Sequence, residues 1–353
     1  MSSNSEIISE IANIISDYKH LPSFIDRTSN ASVSSHVMKW VNQFSEDDKN
    51  IVLRHTHRVL SDRYFSEKDY DLKIDNIVNL KKNHQYFKSD CLLSAQSHGE
   101  SQRNLNEKLN NAIENKLKIK MPVLNSSDFF VDSSRFDYIN YIDDFSFSAK
   151  LVGDDVIGFI RDHGVNNAKI RIIIFVFHSY GLYALKNKLN DFIKENKLNI
   201  EFIYNHRFWL DVNNDIHPDY SCNSEVYFLE ENAYKKILSA NGLSDDDKYK
   251  TTVFRIGSHK DCILGDESER RKIEEIFSMK GFEIISHSEL PKKSMKPLGF
   301  STFPGVGFGG NVFSYRNCPN NTPLVFWWGT YQKTNNEAID CWYPLMRRQG
   351  YYE

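Results

Sequence analysis

The sequence predicts an α/β fold in which a parallel β-sheet is flanked by helices and follows a helical N-terminal region. Three observations support this prediction. Residues 170–177 are almost continuously apolar, as in a parallel strand that is buried on both faces. Strand-like and helix-like segments alternate over residues 88–204, which is the pattern of a parallel sheet. Apolar side chains recur at helical spacing over residues 1–87.

The composition is that of a globular protein and argues against several functional classes. Of the 353 residues, 40% are hydrophobic and 26% are charged, and the net charge of −3 argues against nucleic-acid binding over the whole surface. The five cysteines are scattered singly, which argues against a zinc ribbon or a disulfide framework. No segment has the ~20 apolar residues of a membrane span, and the N-terminus lacks a signal-peptide pattern. We therefore expect a cytoplasmic protein with no membrane association.

The N-terminal region is predicted to consist of helices. Ser3 and Glu6 have the spacing of a capping box, and apolar residues then recur at helical spacing through Tyr18. Further helices are predicted over residues 37–44, 45–60 and 67–81. We predict a boundary after residue 87, which separates a helical region, 1–87, from an α/β domain with a C-terminal elaboration, 88–353.

The α/β domain is predicted from short apolar strands that are separated by helices. Up to residue 204 the pattern predicts strands at 91–94, 136–142, 170–177 and 200–204, with helices at 105–117, 154–162 and 180–194. Beyond residue 204 the pattern is weaker. It predicts strands at 225–229, 253–256, 282–285 and 324–328, with helices at 231–239 and 267–279. A strand, a glycine turn and a helix at residues 91–117 would present backbone N–H groups to an anion.

The acidic pair Asp143–Asp144 follows the predicted strand at 136–142 directly. In open α/β sheets, ligands bind beyond the carboxyl ends of the strands. Two adjacent carboxylates at that position suit the vicinal hydroxyls of a ribose, or a Mg²⁺ ion, which prefers oxygen ligands. Ser146, Ser148 and Lys150 follow in a loop before a helix, where a phosphate could bind. The alternative, which carries about equal weight, is a solvated strand end whose carboxylates cap the next helix.

The segment 138–150, YINYIDDFSFSAK, resembles the phosphoribosyl-pyrophosphate loop of type I phosphoribosyltransferases, in which apolar residues lead into two acids and a short loop. More specifically, the chain resembles the phosphoribosyltransferase-like effectors of bacterial conflict and anti-phage defence systems, including retron-associated ones. The resemblance extends from about residue 37 to the end of the chain. It includes WVNQF at 40–44, GESQ at 99–102, PLG at 297–299, PNNTP at 319–323, Trp327 and WYPL at 342–345.

The resemblance implies a role for each residue that matches the family's motifs. Asp143 and Asp144 would contact the ribose hydroxyls and could hold Mg²⁺. The 5′-phosphate would be surrounded by Ser146, Phe147, Ser148, Ala149 and Lys150. The pyrophosphate would lie near Gly99, Glu100, Ser101 and Gln102. This chain departs from the pattern in two respects. Phe147 and Ala149 stand where the family loop usually has glycines, and glycine lets a backbone approach phosphate closely. Lys150 replaces the usual hydroxyl residue.

Two functional hypotheses follow from the resemblance. The first is a phosphoribosyltransferase-like toxin that uses Mg²⁺ and acts on a phosphoribosyl pyrophosphate-like or nucleotide ligand. The second is a catalytically degenerate nucleotide sensor or scaffold subunit of a defence complex such as a retron. Its partner would then be a reverse transcriptase with its DNA–RNA product. The retained acidic pair favours the first hypothesis, and the missing loop glycines favour the second.

Two other features receive structural interpretations. His178 ends the most apolar predicted strand, near the expected ligand edge, and is interpreted as a capping or core histidine rather than a catalytic base. Arg347 and Arg348 lie near the C-terminus and are interpreted as part of a solvated tail rather than as a contact for nucleic acid.

Overall fold

The structure is a computed structural model that divides into two compact units. One unit comprises Met1–Glu67 and Asn214–Glu353, and the other comprises Lys68–Asn213. This division differs from the predicted boundary between residues 87 and 88. The structure describes residues 3–95, 100–125, 132, 135–205, 210–212, 214–215, 223–224, 227, 231–240, 242–243, 263–292, 295–300 and 310–348.

The chain begins with three helices and a short strand of the first unit. The predicted capping box is confirmed, since the Ser3 hydroxyl accepts from the Glu6 N–H and the Glu6 carboxylate accepts from the Ser3 N–H. Isoleucines from one side of the first helix are buried, as their spacing predicts. These elements are α1 (Asn4–Ile15), α2 (Asn30–Val41), α3 (Glu46–Arg63) and β1 (Tyr64–Phe65).

The second unit is built on a parallel sheet, as predicted. Its strands are β2 (Cys91–Ser94), β3 (Val123–Asn125), β4 (Ile139–Ser146), β5 (Ala168–His178), β6 (Ile200–Asn205) and β7 (Leu210–Val212). Among the described residues the sheet has six strands in the order β3-β2-β4-β5-β6, and β7 pairs with β5 beyond the end of β6. The helices of this unit are α4 (Glu67–Asn79), α5 (Tyr86–Ser89), α6 (Glu100–Leu117), α7 (Lys150–His163) and α8 (Ser179–Glu195).

Strand β5 lies inside this sheet, with β4 on one side and β6 and β7 on the other, and it is apolar along most of its length. Ile170, Ile172 and Ile174 are buried in one core cluster with residues of α7 and α8. Helix α7 ends where the sequence predicts, at Gly164, which takes the left-handed conformation (φ 59°) that favours glycine. Helices α7 and α8 therefore cover one face of the sheet.

The last part of the chain returns to the first unit. Its elements are β8 (Asn214–Asp215), β9 (Asn223–Ser224), α9 (Glu231–Ala240), α10 (Glu267–Ser286), β10 (Phe313–Ser314), α11 (Leu324–Trp327) and α12 (Glu337–Asp340). Strand β10 pairs in parallel with β1. The sequence motifs at 40–44 and 342–345 meet here, because the Gln43 side chain donates to the Tyr343 carbonyl (2.8 Å) and accepts from the Tyr343 N–H (2.7 Å). The indole N–H groups of Trp40 and Trp342 both donate to the Val325 carbonyl.

Two predicted strands are helices in the structure. Residues 282–285 continue α10, because Phe282, Ile284 and Ile285 extend its buried side. Residues 324–327 form the short helix α11, which follows Pro323 and is buried on all sides. Short, mainly apolar segments of this length suit a buried strand and a buried helix equally well. The predicted strand at 253–256 lies outside the described residues, and of the strand at 225–229 only residue 227 is described.

Candidate functional site

Strand β4 continues four residues beyond the predicted strand end at residue 142. Asp143 pairs with Ile174, and Ser146 pairs with Phe177 of the neighbouring strand β5. Aspartate has a low strand propensity, so the sequence pattern predicts too early an end for the strand, whereas β5 supplies backbone partners through Phe177. The acidic pair is therefore part of the strand, and both side chains are buried, with exposed fractions of 2% and 8%.

The two carboxylates lie on opposite faces of the sheet, since consecutive side chains of a strand alternate. Asp144 lies on the face covered by α4, where its Oδ2 accepts from the Tyr70 hydroxyl (3.3 Å). Asp143 lies on the same face as Tyr141, whose hydroxyl donates to Asp155 of α7 (2.9 Å). Burial, with the nearby Asp143 carboxylate as the second cause, raises the pKa of Tyr141 well above its ordinary value. The pair therefore does not present both carboxylates to one side of β4.

The loop between β4 and α7 keeps a glycine-like backbone although it contains no glycine. Ala149 precedes the first residue of α7 in the left-handed conformation, with φ 55° and ψ 5°. A non-glycine residue pays about 1–2 kcal/mol for this conformation. Ser148 Oγ accepts from the Lys150 N–H at 3.4 Å, the alanine has no capping group, and the first turn of α7 carries no acidic residue. The start of α7 is the positive end of a helix dipole, and residue 149 provides no side-chain cap for its N–H groups. Both properties suit an anion.

Lys150 is oriented by an ion pair within α7. Its Nζ lies 2.5 Å from Asp154 Oδ2, and Lys188 Nζ of α8 lies 2.5 Å from the other oxygen of the same carboxylate. Burial raises the pKa of the Asp154 carboxyl, but the hydrogen bonds and positive charges of Lys150 and Lys188 together outweigh it, so the pKa is lowered and the carboxylate is ionised at neutral pH. Two lysines and one carboxylate leave a net positive charge beside the start of α7, although Lys150 does not point freely at the loop.

Helix α8 approaches the backbone of the loop closely at Gly181. A Cβ placed on Gly181 would lie only 2.0 Å from the Phe147 carbonyl oxygen and 2.9 Å from its carbon. Only glycine allows this approach. Phe147 is half-buried beside the ring of Phe145, with ring centroids 6.3 Å apart. The bulky residue that replaces a loop glycine is therefore held in place by packing on one side and by α8 on the other.

His178 is a buried residue at the junction of β5 and α8, which confirms its interpretation as a core histidine. Burial lowers its pKa to about 4. The imidazole is therefore neutral at pH 7, and it does not contribute a positive charge to an anion site.

The predicted pyrophosphate turn is only partly described. Gly99 lies outside the described residues, and Glu100 and Ser101 begin α6, with side chains that also lie outside them. Gln102 is fully buried, and its side chain accepts from the Ala95 N–H (2.8 Å) and donates to the Leu93 carbonyl (3.3 Å). Its amide therefore links α6 to the end of β2.

The acidic pair does not fit a metal site of its own. Within the described residues no group of three or more His, Cys, Asp or Glu side chains could hold a metal ion. Both oxygens of Asp144 already accept hydrogen bonds, from Tyr70 and from the Phe145 N–H, and Asp143 Oδ1 accepts from the Asp144 N–H. Mg²⁺ binding by this pair stays a prediction.

A second buried polar group lies under the same sheet and was not identified from the sequence. Arg171 Nη1 of β5 donates to Asp90 Oδ2 (2.9 Å) and to Asn140 Oδ1 (3.0 Å), while Asn140 Nδ2 donates to Asp90 (3.1 Å). The guanidinium also stacks over the ring of Tyr138, 4.0 Å from its centroid. A charged residue within the apolar segment 170–177 was the available signal, since a buried charge needs a partner. No comparable feature of the sequence indicated that Tyr70 would contact Asp144.

A parallel sheet in which a strand with acidic residues leads through a short loop into a helix is consistent with a phosphoribosyltransferase-like α/β protein. A comparison with protein-family models agrees, since the PRTase-CE model matches residues 37–348. The match covers most of the chain, and the protein belongs to the PRTase-CE family. A comparison with curated proteins returns no match. None of the helices in the described ranges is both long enough and apolar enough to cross a membrane.

Proposed function

We propose that the β4–α7 loop binds the phosphate of a ribosyl-phosphate or nucleotide ligand, and that the protein is a toxic effector of a bacterial anti-phage defence system. Family membership supports the class of ligand. The defence role rests on the resemblance of the chain to conflict-system effectors. Residues 146–150 would surround the phosphate, and Asp143 or Asp144 would contact the sugar.

One observation carries this proposal: Ala149 adopts the left-handed backbone of a loop glycine directly before α7. Such strain persists only where the surrounding structure maintains it, and it tends to occur at functional sites. Gly181 maintains it here by allowing α8 to approach the Phe147 carbonyl. The loop therefore lacks the glycines of the family pattern and keeps the backbone shape that presents N–H groups to a phosphate.

The proposed chemistry is transfer or release of the ribosyl-phosphate group. Its transition state resembles an oxocarbenium ion, so the protein would act mainly by positioning the sugar and stabilising the leaving group. Because the two carboxylates diverge, a single ribose would use one of them. Asp144 suits this role better, since the Tyr70 hydroxyl orients it on the face that α7 and α8 do not cover. It would orient the sugar and would not act as a nucleophile.

Calorimetric titration with phosphoribosyl pyrophosphate, NAD and nucleoside triphosphates tests the proposal. We expect the wild type to bind at least one of these ligands, and Asp143→Ala/Asp144→Ala to weaken binding by about tenfold or more, since hydrogen bonds to charged groups contribute about 1.5–3 kcal/mol. Asp154→Asn is the matched control, because it removes a carboxylate on α7 and releases Lys150. This control should bind as well as the wild type or better.

Toxicity on expression tests the effector role with the same variants. The double variant should lose toxicity, while Asp154→Asn should keep it. If no ligand binds the wild type and the double variant stays fully toxic, the enzymatic proposal is wrong. Circular dichroism of each variant separates a lost site from a lost fold.

The alternative proposal is a nucleotide sensor or scaffold subunit that docks a reverse transcriptase with its DNA–RNA product. The bulk of Phe147 and the engagement of Lys150 by Asp154 favour it, since both leave less room and less charge for a reacting pyrophosphate. A protein of this kind would bind nucleotide without turnover. Ligand binding that is not accompanied by product formation, measured by chromatography of the ligand after long incubation, would select this alternative.

A further inference from the structure

A broad groove in the first unit is lined by cationic side chains. It has a volume of about 710 Å³ and is formed by three chain segments, residues 19–27, 330–334 and 347–348. The cations that line it are Lys19, Arg27, Lys333, Arg347 and Arg348, and His20 lies among them. No Asp or Glu is among the lining residues that the structure describes. The whole chain has 44 basic and 47 acidic residues, so a groove lined by basic side chains differs from the average surface and has a positive local potential.

The positive potential of the groove affects the histidine within it. Burial is the first cause that lowers the pKa of His20, and the charges of Lys19, Arg27 and Arg347 lower it further. Asp26 and Asp340 lie in adjoining turns, where they accept hydrogen bonds from Thr28 and Thr334, and neither carboxylate lines the groove.

The backbone that carries these cations is held by specific hydrogen bonds. Tyr18 donates its hydroxyl proton to the Arg347 carbonyl (2.8 Å), and the Arg347 N–H donates to the Tyr331 hydroxyl (3.0 Å). The Lys19 N–H donates to the Tyr315 carbonyl (2.6 Å), and Arg27 Nη2 donates to the Lys19 carbonyl (2.9 Å). The groove is therefore a built feature of the fold, and Arg347 and Arg348 are half-buried rather than part of a solvated tail.

An exposed aromatic ring completes the groove. Phe24 lines it with 54% of its surface accessible, which is unusual for a phenylalanine in a folded protein. Non-specific sites for single-stranded nucleic acids combine a cationic groove, which follows the phosphates, with aromatic rings on which bases stack. An anionic membrane would meet a flat or convex cationic surface with several apolar anchors, whereas this surface is concave and has one exposed ring.

We propose that this groove binds the phosphodiester backbone of a single-stranded nucleic acid, with one base stacked on Phe24. The proposal does not depend on a ligand at the β4–α7 loop. The occupant is identified by its chemistry, a chain of regularly spaced phosphates with unpaired bases.

Fluorescence anisotropy with labelled single-stranded DNA and RNA oligonucleotides of about 20 nucleotides tests the proposal. Arg27→Gln/Lys333→Gln removes two cations of the groove. We expect weaker binding and a log–log salt dependence that is less steep by about 1.4, since each phosphate contact on a single strand contributes about 0.7. Phe24→Ala should weaken binding by about fivefold to a hundredfold at constant salt dependence, because it removes a stacking contact and no charge.

Lys68→Gln/Lys236→Gln is the matched control, since both lysines are exposed and neither lines the groove. It removes the same charge and should leave the affinity and its salt dependence almost unchanged. Asp144→Asn should also leave oligonucleotide binding unchanged, because Asp144 belongs to the proposed ribosyl-phosphate site and not to the groove. The two proposals can therefore fail independently.

Four results would overturn the proposal. The first is that neither oligonucleotide binds at low salt. The second is that the control lowers affinity as much as the groove variant does. The third is equal or tighter binding of a duplex of the same length, which would contradict the assignment to single strands. The fourth is binding to phosphatidylserine vesicles with no oligonucleotide binding, which would assign the groove to an anionic membrane.

Discussion

Gly181→Ala is expected to lower the free energy of unfolding by about 3 kcal/mol, the upper part of the usual range for overpacking. The added methyl group would lie 2.0 Å from the Phe147 carbonyl oxygen, and that oxygen belongs to the backbone of the loop. Either α8 or the loop must therefore shift. Because the same contact holds the β4–α7 loop in shape, the variant should also lose ribosyl-phosphate binding at temperatures at which it is folded.

Gly158→Ala is the matched control for this prediction, and urea denaturation measures both variants. Gly158 lies inside α7, and no atom lies within 4 Å of an added Cβ. Alanine is the better helix former there, so we expect stabilisation by about 0.5–1 kcal/mol. A Gly181→Ala protein as stable as the wild type would show that α8 does not contact the loop as described.

Arg171→Met is expected to destabilise the protein by about 3–5 kcal/mol, the usual cost of leaving one partner of a buried ion pair. The Asp90 side chain is 1% exposed, and the Arg171 side chain is 14% exposed. Burial destabilises the Asp90 carboxylate and raises its pKa, although the contacts with Asn140 and Arg171 act in the opposite direction. Without the guanidinium, the carboxylate would keep only the Asn140 amide as a described donor.

The second substitution Asp90→Asn should restore much of the stability lost in Arg171→Met. It removes the uncompensated charge and leaves an amide that can still bond with Asn140. Replacing both charges in a buried pair is often nearly neutral, whereas removing one is not. Urea denaturation of the wild type, both single variants and the double variant measures the coupling. Additive effects would contradict a direct interaction between Asp90 and Arg171.

The sheet could be predicted where its strands are uniformly apolar. Residues 170–177 have the composition of a strand buried on both faces, and β5 extends only slightly beyond them, from Ala168 to His178. The same criterion failed for residues 324–327, because a short helix that is buried on all sides has the same composition. Length and composition alone do not separate these two cases.

The geometry of the candidate site depends on contacts that no local pattern contains. The extension of β4 to Ser146 depends on backbone partners in β5, and it determines that Asp143 and Asp144 face opposite sides. The need for glycine at position 181 arises from the Phe147 carbonyl beside it, and this contact cannot be read from the local sequence. Likewise, the basic groove joins segments more than 300 residues apart, and each of them has an ordinary charge pattern by itself.

Backbone amide signals of residues 147–152, followed by NMR during titration with ribose 5-phosphate, test the proposed phosphate site most directly. If the first turn of α7 holds the phosphate, these amides should shift with saturation, and Ala149→Gly should bind at least as tightly, because glycine adopts the left-handed conformation without strain. Saturable binding that leaves the amides of residues 147–152 unchanged, while signals elsewhere shift, would contradict the proposed site.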